Sequence, residues 1–292
     1  MNGSPPGGKG KSGFKGVEKM NNAEEITISS LQNTRIKQLV ALQQKSAERR
    51  RQGLFTVEGR RELLHALEAG FKPEALFLCP AIISSDDTQQ LLQAVAATGA
   101  EVNVVNVAPN VYEKIAYRGG TEGVVAVMHT LEQRLEGLRL SMSPLIVVLE
   151  SVEKPGNLGA VLRSADAAGA DAVIICDPLT DLYNPNLIRS SIGAIFTVPC
   201  VACTSDECIS FLKQQGISIL TAQLQDSKPY YDTDMKRPTA IVMGTESTGL
   251  TNQWRRAADA HIRIPMLGRL DSLNVSVSAA ILLYEAVRQR QS

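Results

Sequence analysis

From Ile26 onward the apolar residues recur in two rhythms, one of about 3.6 residues and one of about 2. "TRIKQLVALQQKSAERR", residues 34–50, sets Ile36, Leu39, Val40 and Leu42 at helical spacing and predicts a helix. "LFTVEG" then reads as a short strand, "RRELLHALEAG" as a helix ending at Gly70, and "EALFLC" as another strand. "TQQLLQAVAATG" is a helix closed by Gly99, "VNVV" a strand, "VYEKIAY" a short helix, and "GVVAVM", residues 123–128, a further strand. After the more polar "TLEQRLEGLRLSMS" the alternation restarts more strongly. "LIVVLE" and "DAVIIC" are aliphatic runs of the kind found in strands covered on both faces. Between them "PGNLGAVLRSADAAGA" predicts a helix entered through Gly156-Asn157 and ended at Gly169. Strands are also expected around residue 219, at 239–244 and at 260–264, with helices at 205–215 and 250–258. Such alternation marks an α/β layer structure whose second half is built on a parallel sheet.

The same pattern divides the chain. Residues 1–25, rich in Gly, Lys and Ser, bury too little apolar area to order themselves and read as a flexible tail. Residues 26–130 form a first α/β module, 131–143 a linker, and 144–292 a second domain. The chain of 292 residues, 44% hydrophobic and 21% charged, fits a soluble globular protein of two domains. No apolar run approaches the roughly 18 residues of a membrane span. Lys9, Lys11, Lys15 and Lys19 are followed by no apolar core, so no signal peptide is expected and the protein is placed in the cytoplasm.

Cys79, Cys176, Cys200, Cys203 and Cys208 are an odd set of five. Cys200-Val-Ala-Cys203, with Cys208 nearby, has the spacing of half a zinc site. A complete site needs four ligands, and the pair reads instead as small reduced core residues, with no metal and no disulfide. Thirty basic and thirty acidic residues give no net charge, which excludes indiscriminate polyanion binding but not a local basic patch. Lys45, Arg49, Arg50, Arg51, Arg60 and Arg61 form one candidate, whose plain alternative is a solvated helix face.

Ligands of open parallel sheets bind beyond the carboxyl ends of the strands, and three turns there are rich in Gly and polar residues. In the first, Gly156 and Gly159 open a helix whose free N–H groups favour an anion, and Arg163 further along suits a phosphate. In the second, Gly244-Thr245-Glu246 sets a carboxylate at the end of a buried strand. In the third, Ser272 or Asn274 suits a helix cap, but Ser272, Asn274, Ser276 and Ser278 together before so apolar a stretch point to a site.

"PGNLGAVLRSADAAG", "IVMGTESTGL" and "IPMLGRLDSLNVSVS" closely resemble the three ordered motifs of the SpoU family of RNA ribose 2′-O-methyltransferases. "NPNLIRSSIGAIFTVP", residues 184–199, is similar to that family's linking segment. The resemblance covers the second half, and the first half more loosely resembles the family's smaller RNA-binding substrate domain. It implies S-adenosylmethionine as methyl donor, a SPOUT-type domain with a deep trefoil knot near the C-terminus, and a homodimer in which both subunits contribute to each site. It implies a catalytic cluster of Asn157, Arg163, Glu246, Ser272 and Asn274, and a cofactor pocket at Gly244, Ile264, Met266 and Leu273. Two positions depart from the pattern. Lys154 stands where an Asp or Asn is common, and Ser278 replaces a frequent alanine.

A ribose hydroxyl attacks well only as its proton leaves, yet His65, His129 and His261 lie in none of the three turns. A guanidinium is almost never neutral. Arg163 is therefore expected to stay charged, binding the target phosphate and stabilising the developing alkoxide. Asn157 and Ser272 would orient it, and Glu246 would fix the arginine or the loop. Choice of RNA falls to the first half, with Arg49, Arg50, Arg51, Arg60 and Arg61 as phosphate contacts. Ribosomal RNA is the expected substrate; the alternatives are transfer RNA and a non-catalytic RNA-binding role. A nucleotide-dependent oxidoreductase is disfavoured, because the Gly-x-Gly-x-x-Gly order is missing.

Overall fold

A computed structural model describes residues 27–117, 122–245 and 248–291; the expected tail lies outside the described residues. The first module runs α1 (Thr34–Gln44), α2 (Ser46–Gln52), β1 (Leu54–Glu58), α3 (Arg60–Glu68), β2 (Pro73–Leu78), α4 (Ser85–Ala97), β3 (Asn103–Asn106), α5 (Pro109–Ile115) and β4 (Val124–His129). Its sheet has the order β1-β4-β2-β3. β4 is antiparallel to both β1 and β2, while β2 and β3 are parallel. Both faces of the sheet are buried: Phe55, Leu76 and Ala126 pack on one side, Leu54, Phe77 and Val125 on the other.

The helix expected over 34–50 is two helices. Lys45 is extended, its N–H closing α1 on the Ala41 carbonyl. The break has a use, because it turns α2 so that Arg49 Nη1 donates to the Leu42 and Gln43 carbonyls at 2.6 and 3.1 Å. These are end-of-helix acceptors that α1 cannot satisfy itself.

The second module contains β5 (Leu145–Glu150), α6 (Pro155–Ala167), β6 (Ala172–Cys176), α7 (Pro185–Ser190), α8 (Ala194–Thr197), β7 (Cys200–Cys203), α9 (Ser205–Gln214) and β8 (Ser218–Ala222). It continues with β9 (Lys228–Pro229), β10 (Thr239–Met243), α10 (Asn252–Ala257), β11 (Ala260–Arg263) and α11 (Val275–Arg290). The strands pair in parallel in the order β7-β6-β5-β10-β8-β11-β9. β5, β6 and β10 are buried along their whole length, as their aliphatic runs require. β7 and β9 were not expected; Cys-Val-Ala-Cys carries too weak a pattern to announce a strand. α11 packs on α6 and is held at its end by Arg290, which donates to four carbonyls, those of Ser143, Pro144, Met235 and Arg237. No helix among the described residues is long and apolar enough to cross a membrane.

The two modules share an aromatic seam. Phe55 stacks on Tyr183 with centroids 4.4 Å apart, and Phe71 meets Phe196 edge-on at 5.2 Å. The Tyr183 hydroxyl donates to the Leu131 carbonyl (2.7 Å) and accepts from its N–H (3.1 Å), tying down the connecting segment. Arg49 lies beside this seam, 4% exposed, with Nε donating to Asp181 Oδ2 at 2.6 Å. This corrects its expected role: a buried guanidinium spent on two helix carbonyls and an aspartate is not offered to an RNA phosphate. Removing one partner of a buried pair strands the other. Arg49→Ala should therefore lower unfolding stability in urea by about 3 kcal/mol; a loss of RNA affinity at unchanged stability would restore the phosphate reading.

Candidate active site

The carboxyl ends of β5, β10 and β11 deliver the three turns to one side of the sheet. α6 begins with Pro155 at its first position, where a missing N–H costs nothing. Gly159, expected to let a ligand approach, instead admits a neighbouring helix: a Cβ there would lie 2.0 Å from Ser190 Oγ on α7. Ser190 in turn donates to the Pro155 carbonyl at 3.1 Å.

The turn after β10 is where glycine is indispensable. A Cβ on Gly244 would fall 2.3 Å from the Gly249 carbonyl group and 2.6 Å from the Leu250 nitrogen. The turn closes through Gly249 N–H donating to the Thr245 carbonyl at 3.0 Å and Thr248 N–H to Thr245 Oγ1 at 3.1 Å. Its far end is anchored by Glu150, 2% exposed, which accepts from the Thr251 N–H (2.8 Å) and hydroxyl (2.7 Å). Sequence reasoning missed Glu150. The signal was a lone carboxylate ending an otherwise aliphatic strand. Glu246 lies outside the described residues.

The third turn settles which polar residue caps α11. Asn274 is the N-cap, its Oδ1 accepting from Ser276 N–H at 3.0 Å and from Ser276 Oγ at 2.6 Å. Its Nδ2 donates to Asn157 Oδ1 at 3.1 Å, joining the first and third turns across 117 residues of sequence. Ser272 does not cap; its hydroxyl donates to Asp271 Oδ1 at 3.2 Å.

Between the second and third turns lies a cavity of about 380 Å³. Its walls include Gly244, Ile264, Met266, Leu273 and Ser272, five of the expected site residues, and also Ser278. Gln223 and Arg255, which were not foreseen, line it as well. Gln223 Oε1 and Arg255 Nε are buried with no hydrogen-bond partner among the described residues.

Arg163 does not line this cavity. Six residues beyond Asn157 on α6, it is rotated well off that residue's face and about 9 Å further along. It is exposed and makes no hydrogen bond or ion pair among the described residues. Of the other expected RNA contacts, Arg50 is exposed, Arg51 pairs with Glu48 at 2.6 Å, Arg60 with Asp87, and Arg61 with Glu62 at 3.0 Å.

A parallel sheet with a polar-lined cavity past its carboxyl ends is the arrangement by which open α/β domains bind ligands. Residues 144–284 match the model of the SpoU rRNA Methylase family, and residues 33–126 that of the MRM3-like substrate binding domain. A 23S rRNA (uridine(2479)-2′-O)-methyltransferase of Streptomyces viridochromogenes is 31% identical over 267 residues, covering 89% of this chain and 91% of that protein. The crystal structure of an RNA 2′-O ribose methyltransferase is similar with a TM-score of 0.78 at 39% identity, covering 91% of this chain and 100% of the other. An AdoMet-bound rRNA methyltransferase from Sinorhizobium meliloti gives a TM-score of 0.82 at 29% identity, covering 90% and 97%. The chain belongs to the SpoU methylase family.

Cap and bridge are separable at Asn274. Asn274→Ala should lose about 1 kcal/mol of stability, while Asn274→Asp, an equally good cap, should keep it. Equal losses in denaturant titrations would show that the Asn157 bond, not the cap, holds the helix start.

Proposed function

We propose that this protein transfers a methyl group from S-adenosylmethionine to a ribose 2′-hydroxyl of ribosomal RNA. The observation that carries the reading is the convergence of Gly244, Ile264, Met266, Leu273 and Ser272 on one cavity, next to the Asn157–Asn274 bridge. About 380 Å³ falls in the range of small-molecule sites. The Gly244 turn offers backbone at close range, Ile264, Met266 and Leu273 an apolar wall, and Gln223 and Arg255 polar side chains at the rim of the same space. When bound, the donor supplies an electrophilic methyl group on a sulfonium. The names of the 23S rRNA relative and the AdoMet-bound neighbour support both substrate and cofactor.

The chain's own residues then position the acceptor. Asn157 and Asn274 hold the first and third turns in register, and Ser272 faces the cavity. Glu246 belongs to the second turn by sequence and completes the catalytic cluster. Arg163, kept charged, binds the phosphate beside the target sugar and stabilises the oxyanion as its proton departs.

Arg163 lies off the cavity of its own chain, so we assign it to the cavity of a second copy in a homodimer. Exposed apolar residues support that assembly. Val277 and Tyr284 are seven positions apart on one face of α11, and Leu267 and Leu270 stand nearly bare in the third turn. The Tyr284 hydroxyl donates to the Ala167 carbonyl at 3.4 Å, so this face of α11 borders the end of the helix that carries Arg163. A deep trefoil knot is part of this reading, supported by the return of α11 to α6 after the chain has left β11. A cytoplasmic location is part of the same proposal. Arg50, Arg51, Arg60 and Arg61 remain its candidate phosphate contacts.

Labelled S-adenosylmethionine and ribosomal RNA should give a methylated product that resists alkaline cleavage at the modified nucleotide; label on a base would refute the reading. Arg163→Lys should slow turnover about 100-fold or more, and near-normal turnover would remove the need for a planar fork. Co-expressing Arg163→Lys chains with Asn274→Ala chains should restore activity in the mixed dimer, whereas no recovery would confine each site to one subunit. RNA affinity should fall steeply with salt, and Arg50→Ala should reduce the log–log slope by about 1. An unchanged slope would make that arginine a bystander.

A further inference from the structure

Away from the cavity, at the carboxyl end of the outermost pair of parallel strands, three sulfur atoms meet. The Sγ atoms of Cys176, Cys203 and Cys208 all lie within 4.8 Å of one another. The register explains two of them, since Cys176 ends β6 and Cys203 ends β7 directly opposite it. Cys208 arrives from the first turns of α9, its N–H donating to the Thr204 carbonyl at 3.1 Å. By sequence, Cys200 and Cys203, with Cys208 nearby, have half a zinc spacing and are expected to be reduced core residues with no metal, an expectation that this convergence reverses. Cys200 instead packs into the core on the other face of the sheet, while Cys176 and Cys208 share one cluster against which Cys203 rests.

All five cysteines are free thiols. Packing alone asks for small apolar groups and gives no reason for three sulfurs from three elements to converge. Their surroundings add to the case. Cys176 and Cys208 are fully buried and Cys203 half-buried, which leaves one side open as an entry path. Tetrahedral zinc with bonds of about 2.3 Å separates its sulfur ligands by about 3.8 Å, within reach of small rotations of side chains already grouped within 4.8 Å.

We propose that Cys176, Cys203 and Cys208 form a zinc site, with the fourth position on the solvent side taken by water. Three thiolates and no imidazole select a soft d10 cation over magnesium or calcium. The bound ion fixes β6, β7 and α9 to one another. The effect extends toward the cofactor turn through Ser205, the first residue of α9. Its hydroxyl donates to Asp177 Oδ2 at 2.6 Å and accepts from Trp254 Nε1 at 3.0 Å, and Trp254 belongs to α10, which follows the Gly244–Leu250 turn. With three protein ligands the fourth position stays open and exchangeable, unlike the closed four-ligand sites of zinc fingers, and binding still adds to folding energy because the ion joins three elements.

The test uses the full chain, stripped by a chelator under reducing conditions and titrated with zinc sulfate against a chromophoric competitor. One zinc per chain is expected, with a rise in Tm. Cobalt in place of zinc should give the intense sulfur-to-metal charge-transfer absorption of thiolate ligation. Cys203→Ser, chosen because that side chain is half-exposed and its loss leaves the core filled, should weaken zinc by more than the roughly 10- to 100-fold that outer-shell changes cost. Cys200→Ala should keep the ion. Zinc well below one per chain, or equal uptake by the Cys203→Ser chain, would overturn the proposal.

Discussion

Parallel pairing of β10 between β5 and β8 is the constraint on which the rest of the molecule depends. The ladder sets Met243 opposite Leu149 and Val242 opposite Thr221, so the ends of three strands are level before any turn is made. A slip of one residue in such a ladder would swap buried and outward positions along a strand that is buried throughout. With the register fixed, the turn after β10 starts at the same height as the one after β5, and Glu150 can reach two donors on Thr251. The cavity is then a consequence of strand order and turn length.

The bonds that finish the site are few and span long separations in sequence. Asn274 to Asn157 crosses 117 residues, Thr251 to Glu150 crosses 101, and Arg49 to Asp181 crosses 132. Each closes a long loop, and the entropy that this costs grows only slowly with loop length. The arrangement also divides labour. Buried groups such as Glu150 and Arg49 satisfy backbone and opposite charge and hold shape, while Asn157, Ser272 and Arg163 remain open to solvent.

Much of this was legible in the residues. The aliphatic runs at 145–150, 172–176 and 239–243 declared buried parallel strands, and Gly, Asn and Ser in the turns that follow declared a ligand side. What was hidden depended on partners far away. Nothing near Lys45 marks a helix break, because the reason for it is the Arg49 guanidinium folding back on α1. Arg49 itself looked like its neighbours Arg50 and Arg51 until Asp181 was placed beside it. The same holds for Cys203, whose sequence neighbour Cys200 faces the opposite core while Cys176, on the adjacent strand, stands beside it. Ser272 and Asn274 were both reasonable caps by type, and only the backbone path decided for Asn274.

The turns that follow β8, β10 and β11 line one cavity, and on the proposed function that cavity encloses the methyl donor. Amide hydrogen exchange with and without S-adenosylhomocysteine tests it most directly. The account predicts new protection confined to segments 222–225, 243–250 and 262–278. Protection centred instead on the cleft around Arg50, Leu179 and Asn184, or no change at saturating ligand, would contradict it.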